Sequence, residues 1–367
     1  MPNKYKAKYI HIFYGHDLKF SRPLIEAFND PDSGIRQEEH LFVIMYSHLY
    51  AEMKHHNNVI LDDSRSNLLL KYGKQCKWLI AYGLPSSIQV FLTPRNIRKK
   101  TIYRYGGGSC TTHLVYNKGK ILQNIKTFSK RLLFNISMKS FAAIGVAGSV
   151  DIIDLSKVIK NGRYIYLNYA YGRYGLGKKA VLEEIGEQNL EDKCKKKINI
   201  LLGHRGTPEN NHIEILKRLE RFDKRELCIY IPLSYGKPEY INCIREYINK
   251  KNYGNVVVIN EFLDYKEYAS LLQTMDIGIF DGYTSYALGN IRILLFFRKT
   301  VYLRDSGVLA EAFKYEGVPY KSIEQIESMT FEEFIEPVKY IENGARLLSQ
   351  DVDGSKRNWD HFFDVFN

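Results

Sequence analysis

The chain has no aspartate or glutamate between Ser64 and Val150, although that stretch carries 15 lysines and arginines. The net charge of the whole chain is +12, so the residues outside the stretch sum to −3. Charge of one sign gathered in one half points to an anionic partner for that half. Nucleic acid, an anionic bilayer and a phosphate-bearing substrate each fit; lysines that only keep a surface solvated are the plainer alternative. Other absences narrow the classes. No apolar run approaches the ~20 residues of a membrane-spanning helix. The five cysteines, Cys76, Cys110, Cys194, Cys228 and Cys243, form no Cys-x-x-Cys pair and no Cys/His cluster. That suits a reduced, cytoplasmic protein without structural zinc, and no metal site is expected. The first residues, MPNKYKAKYIHIFYGH, run directly into an alternating strand and lack a secretory pattern. Low-complexity tracts are missing as well.

What remains is alternation. Strand-like runs in the first half cover 8–15, 40–47, 58–63, 77–84, 101–107, 141–148 and 163–171, with helical patterns over 20–29, 64–72, 86–92, 118–134 and 150–159. A polar stretch, 172–197, reads as a linker. The pattern then restarts, with strands over 198–203, 227–235, 255–260, 275–280 and 299–304 and helices over 208–222, 238–250, 265–274, 288–297 and 331–348. Continuous apolar strands separated by helices predict parallel sheets covered on both faces. The expected architecture is α/β: two Rossmann-like domains, 1–180 and 198–350, facing a central cleft, with a C-terminal piece, 351–367, crossing back to the first. In open parallel sheets, ligands bind beyond the carboxyl ends of the strands, so the loops after strands are the places to search.

Five such places stand out. In ILLGHRGTPENNHIEIL, a buried strand ends at Gly203, a turn holds His204, Arg205 and Gly206, and Thr207-Pro208-Glu209 reads as a helix start. Free amides there attract phosphate, and Arg205 can add a bidentate contact; Asn210 and His212 follow one turn in. The string is neither a G-x-G-x-x-G fingerprint nor a P-loop, and no cofactor is expected. In MDIGIFDGYTSYALGNIRILLF, Thr284, Ser285 and Tyr286 offer hydroxyls before a helix start at Leu288, Gly289 and Asn290. The run Gly106-Gly107-Gly108-Ser109 follows a strand and marks close approach to the main chain. His16 and Asp17, after the first strand, are candidate general bases. Finally, residues 118–134 form a basic amphipathic helix in which Lys120, Lys126, Lys130 and Arg131 flank Ile121, Leu122, Ile125, Phe128, Leu132 and Leu133. Such a helix lies either in an anionic membrane interface or, more plainly, against the protein core.

The strings GHRGTPENNH and DIGIFDGYTSYALGNI make the chain recognisable. It resembles the 4-acetamido-4,6-dideoxygalactose (Fuc4NAc) transferases of enterobacterial common antigen synthesis, glycosyltransferase family 56. Gly203, Gly206, Asn210 and His212 fit that family's Gly-Asn-Ser-Gly turn and Asn-x-His, with His204 and Arg205 in place of Asn and Ser. Ile231 to Tyr235, Tyr268, Asp276 to Phe280 and Ala287 to Ile291 fit later family segments, with Gly289 kept. Two departures accompany the match. A loop carboxylate of the family falls on Gly108, and an Arg-Gln-Gln falls on Thr284, Ser285 and Tyr286. The resemblance implies a donor nucleotide diphosphate sugar, dTDP- or UDP-linked, held by Gly203 to Thr207, Asn210, His212, Tyr235, Thr284 to Tyr286 and Leu288 to Asn290. It implies a polyprenyl-diphosphate-linked saccharide as acceptor. Metal-independent transfer is expected from the residues themselves, with the helix starts near Thr207 and Gly289 and Arg205 stabilising the leaving diphosphate, and the expected place is the inner face of the bacterial inner membrane. Two other readings stay open: a degenerate transferase that binds a nucleotide or glycan without turnover, and a nucleic-acid binder, for which no motif is present.

Overall fold

Nearly every apolar run becomes a short parallel strand followed by a helix, because a strand buried on both faces needs a covered crossover to reach its parallel neighbour. The computed structural model describes residues 7–14, 18–64, 66–83, 86–106, 121–167, 181–186, 197–223, 225–339 and 353–366. The chain divides into two units, Met1–Gly177 with Gln350–Asn367, and Lys178–Ser349.

In the first unit the strands are β1 (Tyr9–Phe13), β2 (His40–Ile44), β3 (Val59–Leu61), β4 (Trp78–Tyr82), β5 (Thr101–Arg104), β6 (Ala143–Val146) and β7 (Tyr164–Tyr166). They form one parallel sheet in the order β3-β2-β1-β4-β5-β6-β7, with Tyr9 opposite both His40 and Trp78. The helices are α1 (Leu18–Phe28), α2 (Ser47–Met53), α3 (Leu68–Gly73), α4 (Ser87–Leu92), α5 (Arg95–Arg98), α6 (Ile121–Ser140) and α7 (Ser149–Ser156). The sheet's centre is aromatic and imidazole-rich. His11 and His40 are buried and lie 2.9 Å apart, Nε2 to Nδ1, and the other His11 nitrogen meets the Tyr82 hydroxyl at 3.1 Å. Burial pushes His40 down to about 3, with Lys8 adding to the shift, and holds His11 well below the ordinary histidine value.

The second unit opens with α8, residues 181–186. This helix falls inside the stretch expected to be a linker. Its Leu182 and Ile185 are buried, and its Glu184 carboxylate accepts from Lys266 Nζ at 2.7 Å. Then come β8 (Ile198–Leu202), α9 (His212–Leu219), β9 (Leu227–Pro232), α10 (Pro238–Lys250), β10 (Val256–Ile259), α11 (Tyr265–Gln273), β11 (Ile277–Phe280), α12 (Leu288–Phe296), β12 (Thr300–Leu303), α13 (Val308–Glu316), β13 (Lys321–Ser322) and α14 (Phe331–Ile335). The second sheet is also parallel, in the order β10-β9-β8-β11-β12-β13. α15 (Asp353–Val365) packs on the first unit: Trp359 is fully buried against Phe28, with ring centroids 4.9 Å apart, and Phe366 meets Trp78 edge-on at 4.7 Å.

Sequence and structure differ where local signals were weak or misleading. The helix expected over 208–222 is broken: a 3-10 turn, Pro208–Asn210, is followed by Asn211 at φ 48, and α9 starts only at His212. The helix expected over 331–348 stops at Ile335, where Glu336 turns extended at ψ 124; residues 340–348 lie outside the described residues.

Candidate functional site

Each sheet reverses direction of strand order once, and such a switch point opens a crevice at the carboxyl edge. In the second sheet the reversal lies between β8 and β11, whose following loops are 203–211 and 281–287.

The first loop is built around a buried asparagine. Asn210 Oδ1 accepts from the His204 amide at 3.3 Å and lies 2.8 Å from His204 Nδ1, while Nδ2 donates to Thr207 Oγ1 at 3.1 Å. Gly203 has φ 70, and a Cβ there would lie 2.6 Å from His212 Nε2, so only glycine fits. Gly206 pairs with the loop after β9: its amide donates to Tyr235 O at 2.9 Å and its carbonyl accepts from Lys237 N at 2.8 Å. The Gly203 amide donates to Ile279 O at 3.0 Å and the Thr207 amide to Arg205 O at 2.9 Å. These bonds correct the expectation of a phosphate held by free amides at Thr207. The amides of Gly203, His204, Gly206 and Thr207 already donate within the protein. The His212 amide, at the start of α9, donates to Tyr240 OH at 3.2 Å. His212 itself is corrected too: its side chain is fully buried beneath Gly203, pushed down to about 3 by burial with His204 adding, and it shapes the loop instead of facing a ligand.

Half-buried Arg205 and His204 reach from the first loop to the second. The Arg205 guanidinium lies over the Tyr286 ring, 4.8 Å from its centroid, and Nε donates to Thr207 Oγ1 at 3.2 Å. His204 stacks on the same Tyr286 at 6.1 Å. Tyr235 is close enough for Arg205 to oppose the upward push of burial on its hydroxyl. The second loop is held from its other end by Arg304, which lies 4.4 Å over the Tyr283 ring, donates to Tyr283 OH at 3.1 Å and pairs with Asp281 at 2.6 Å. Burial pushes the Asp281 carboxyl up, and Arg304 opposes it. Asp281 Oδ1 and Thr284 Oγ1 are buried with no hydrogen-bond partner. His204, Asn210, Asp281, Tyr286 and Ala287 line one small recess together with Glu209. Burial raises the Glu209 carboxyl, but its own amide, Thr207, Lys237 and Arg205 outweigh that and hold it low.

α12 begins with Ala287 at φ 61 and no side-chain cap, so the first-turn amides of Leu288, Gly289 and Asn290 have no capping acceptor. Gly289 is exposed, with no atom within 4 Å of where a Cβ would stand. Asn290 Nδ2 donates to Tyr268 OH at 2.9 Å, tying the helix start to α11. Ser285 and Leu288 are half-buried beside it. Sequence reasoning missed Asp281 and Arg304. Each directly follows a buried strand, β11 and β12, and that position was the available signal.

In the first unit, His16, Asp17, Gly107, Gly108, Ser109 and Lys120 lie outside the described residues, as does the side chain of Lys126. Gly106 is exposed just beyond β5. Beneath it, buried Arg104 faces Asp151 at 3.8 Å, and Asp151 accepts from the Ala147 amide at 2.7 Å. On α6, Phe134 and Met138 reach the core while Phe128, Leu132, Leu133 and Ile136 are exposed. The core-facing alternative therefore holds for one face of this helix and fails for the other. α4 packs beside it and adds exposed Ile88, Phe91 and Leu92. Lys130 is exposed; Arg131 Nη2 instead donates to Lys157 O at 2.5 Å, capping the end of α7.

Two Asp-x-Asp strings occur, at 30–32 and 351–353. In the first, Asp30 accepts from the Asp32 amide at 3.0 Å and caps a 3-10 turn; the second begins outside the described residues. Among the described residues, no three His, Cys, Asp or Glu side chains are grouped to hold a metal ion, and no helix is long and apolar enough to cross a membrane.

Comparison with known proteins bears on both units. Residues 181–335 match the family model of the 4-alpha-L-fucosyltransferase glycosyl transferase group 56. Among curated proteins, no relative matches. Solved structures align over nearly the full length. A glycosyltransferase from Rickettsia africae is 13% identical with TM-score 0.63, covering 99% of this chain and 98% of that one. Anabaena HepE in complex with UDP is 11% identical with TM-score 0.64, covering 98% and 100%. UDP-GlcNAc 2-epimerase from Neisseria meningitidis, bound to UDP-GlcNAc, is 15% identical with TM-score 0.51, covering 97% and 98%. At such identities the likeness establishes a fold, the paired Rossmann-like units of GT-B proteins. Residues 181–335, with both switch-point loops, are thus similar to the glycosyl transferase group 56 family, and the chain as a whole has the GT-B fold.

Proposed function

We propose that the chain transfers a deoxyamino sugar such as Fuc4NAc from a dTDP- or UDP-linked donor to a lipid-linked saccharide in bacterial surface polysaccharide synthesis. The observation that carries the donor half of this reading is the pair of arginine–tyrosine stacks gripping loop 281–287 beside an uncapped helix start. UDP and UDP-GlcNAc accompany two proteins of the same fold. As the glycosidic bond of the donor breaks, negative charge grows on the departing diphosphate. The Arg205 guanidinium and the Leu288 to Asn290 amides oppose that charge without rearranging, which is how fixed dipoles lower a barrier. Arg304, already bound to Asp281, keeps Tyr283 and the loop in place. Either His16 or Asp17 takes the proton of the acceptor hydroxyl. On the acceptor side, the apolar outer face of α4 and α6, edged by Lys130, lies in an anionic membrane interface, at the cytoplasmic side of the inner membrane.

Arg205→Ala tests the donor half. A charge-assisted contact contributes about 1.5–3 kcal/mol, so nucleoside diphosphate affinity falls roughly tenfold or more. Unchanged affinity removes Arg205 from the site and, with it, the main support for the reading. Binding without turnover is the second reading, favoured by Gly108 standing where the resembled family has a carboxylate. Release of nucleoside diphosphate from a nucleotide sugar in the presence of lipid extract excludes it.

A further inference from the structure

The amino edge of the first sheet, the end away from Gly106, holds a cavity of about 460 Å³. Its walls come from Trp78 at the start of β4, from α5, from the end of α6 and from the residues that open β6 and β7. Five cations line it: Arg95 and Arg98, one turn apart on α5, Lys99, Lys139 in the last turn of α6, and Arg163 immediately before β7. Among the described residues no acidic residue lines it, and none of the five cations has an ion pair or hydrogen bond through its side chain. Adjacent strand ends fix the frame: the Ala142 amide donates to Thr101 O at 2.9 Å, and the Ile144 amide to Arg163 O at 2.7 Å. Two polar atoms of lining residues, Arg98 Nε and Trp78 Nε1, are buried with no hydrogen-bond partner.

Arg98 is half-buried and the other four cations are exposed, so water screens part of their mutual repulsion, and an anion that enters relieves the rest. Guanidinium forks bind the oxygens of a phosphate bidentately, and five cations suit its multiple charge. The volume falls within the range of small-molecule sites, about 300–1,000 Å³, and Trp78, Phe141 and Phe366 supply an apolar wall. We propose that this cavity is a second ligand site, which takes a phosphate group carried on a partly apolar molecule. It is independent of the donor reading, since the loops assigned to the donor belong to the other unit. Two sources share this chemistry: a soluble phosphorylated compound and the headgroup of an anionic phospholipid.

The full chain is titrated calorimetrically with inorganic pyrophosphate and, separately, sedimented with phosphatidylcholine vesicles containing or lacking phosphatidylglycerol. Both arms compare wild type, Arg205→Ala, the double variant Arg98→Gln/Arg163→Gln and the single variant Lys139→Gln. The expected result is at least a tenfold loss of affinity in the double variant in one arm, a smaller loss in Lys139→Gln, and no change of that component in Arg205→Ala. Loss in the pyrophosphate arm assigns a soluble phosphate compound; loss confined to the phosphatidylglycerol arm assigns a lipid headgroup. A double variant with wild-type melting behaviour that binds as wild type in both arms, or a wild type that binds in neither, overturns the proposal. Loss of pyrophosphate binding in Arg205→Ala alone, together with unchanged vesicle binding in the double variant, overturns it too, while leaving the donor site standing.

Discussion

Ala287 occupies the left-handed region, at φ 61, directly before α12. An L-residue there costs roughly 1–2 kcal/mol that glycine avoids. Ala287→Gly is therefore expected to raise the melting temperature by a few degrees, given roughly 2–4 °C per kcal/mol for a unit of this size; a fall on differential scanning fluorimetry would contradict the assigned backbone. Gly289 is the reverse case. Nothing in the protein occupies the place of its Cβ, so Gly289→Ala folds normally and reports only on a ligand. If the donor diphosphate lies against the α12 amides, this variant keeps its melting temperature and loses nucleoside diphosphate affinity. Gly206 and Gly236 are demanded by the fold itself. A Cβ on Gly206 would lie 2.2 Å from Ile241 Cγ1, and one on Gly236 would lie 2.2 Å from Gly206 O. Alanine at either position lowers stability before it touches activity, and Gly236→Ala does more harm because backbone cannot swing aside.

At the scale of elements, strands were legible and switch-point detail was not. Runs such as INILL and IGIF announce themselves because both faces of a central parallel strand are apolar. The helix at 208 misled because Thr207-Pro208-Glu209 carries every local mark of a helix start. Side-chain bonds from Asn210 to His204 and Thr207 instead accompany a single 3-10 turn, and Asn211 in the left-handed region separates it from α9. His212 belongs to the resembled motif, which makes it a contact residue by expectation; nothing local in sequence tells a histidine packed under a glycine from one facing solvent. The arginine–tyrosine stacks join residues about 20 to 80 positions apart and have no local trace. α6 was legible as basic and amphipathic, but its two apolar faces became distinct only once Phe134 and Met138 were seen inside. Since Leu132 is exposed on the outer face, Leu132→Ser leaves stability within about 0.5 kcal/mol. It is nevertheless expected to weaken sedimentation with anionic vesicles; unaltered vesicle binding would argue against this face as the membrane contact.

For the whole molecule, acidity acts through buried imidazoles in both units. His40 and His212 are pushed down to about 3, and His11 also lies low, all by burial. The unfolded chain binds protons at these positions near pH 6.5, whereas the folded one refuses them. Their contribution is complete above that value and declines as pH falls towards 3. Asp62 extends the loss: burial raises it, but Lys71, Ser64 and Tyr72 outweigh that and hold it at about 2, so its contribution is complete above about 4 and disappears below. A melting temperature that stays level from pH 7 to pH 4 would refute this account. The return of α15 has a consequence for synthesis. Trp359 and Phe362 fill the aromatic heart of a sheet whose founding strand, β1, leaves the ribosome more than three hundred residues earlier. Domains emerging in order usually finish in order. Here the leading half must wait, with Phe28 and Tyr9 uncovered, until the trailing segment arrives, while the inserted half can close meanwhile. Nascent chains stalled before residue 353 should accordingly bind chaperones through their oldest part.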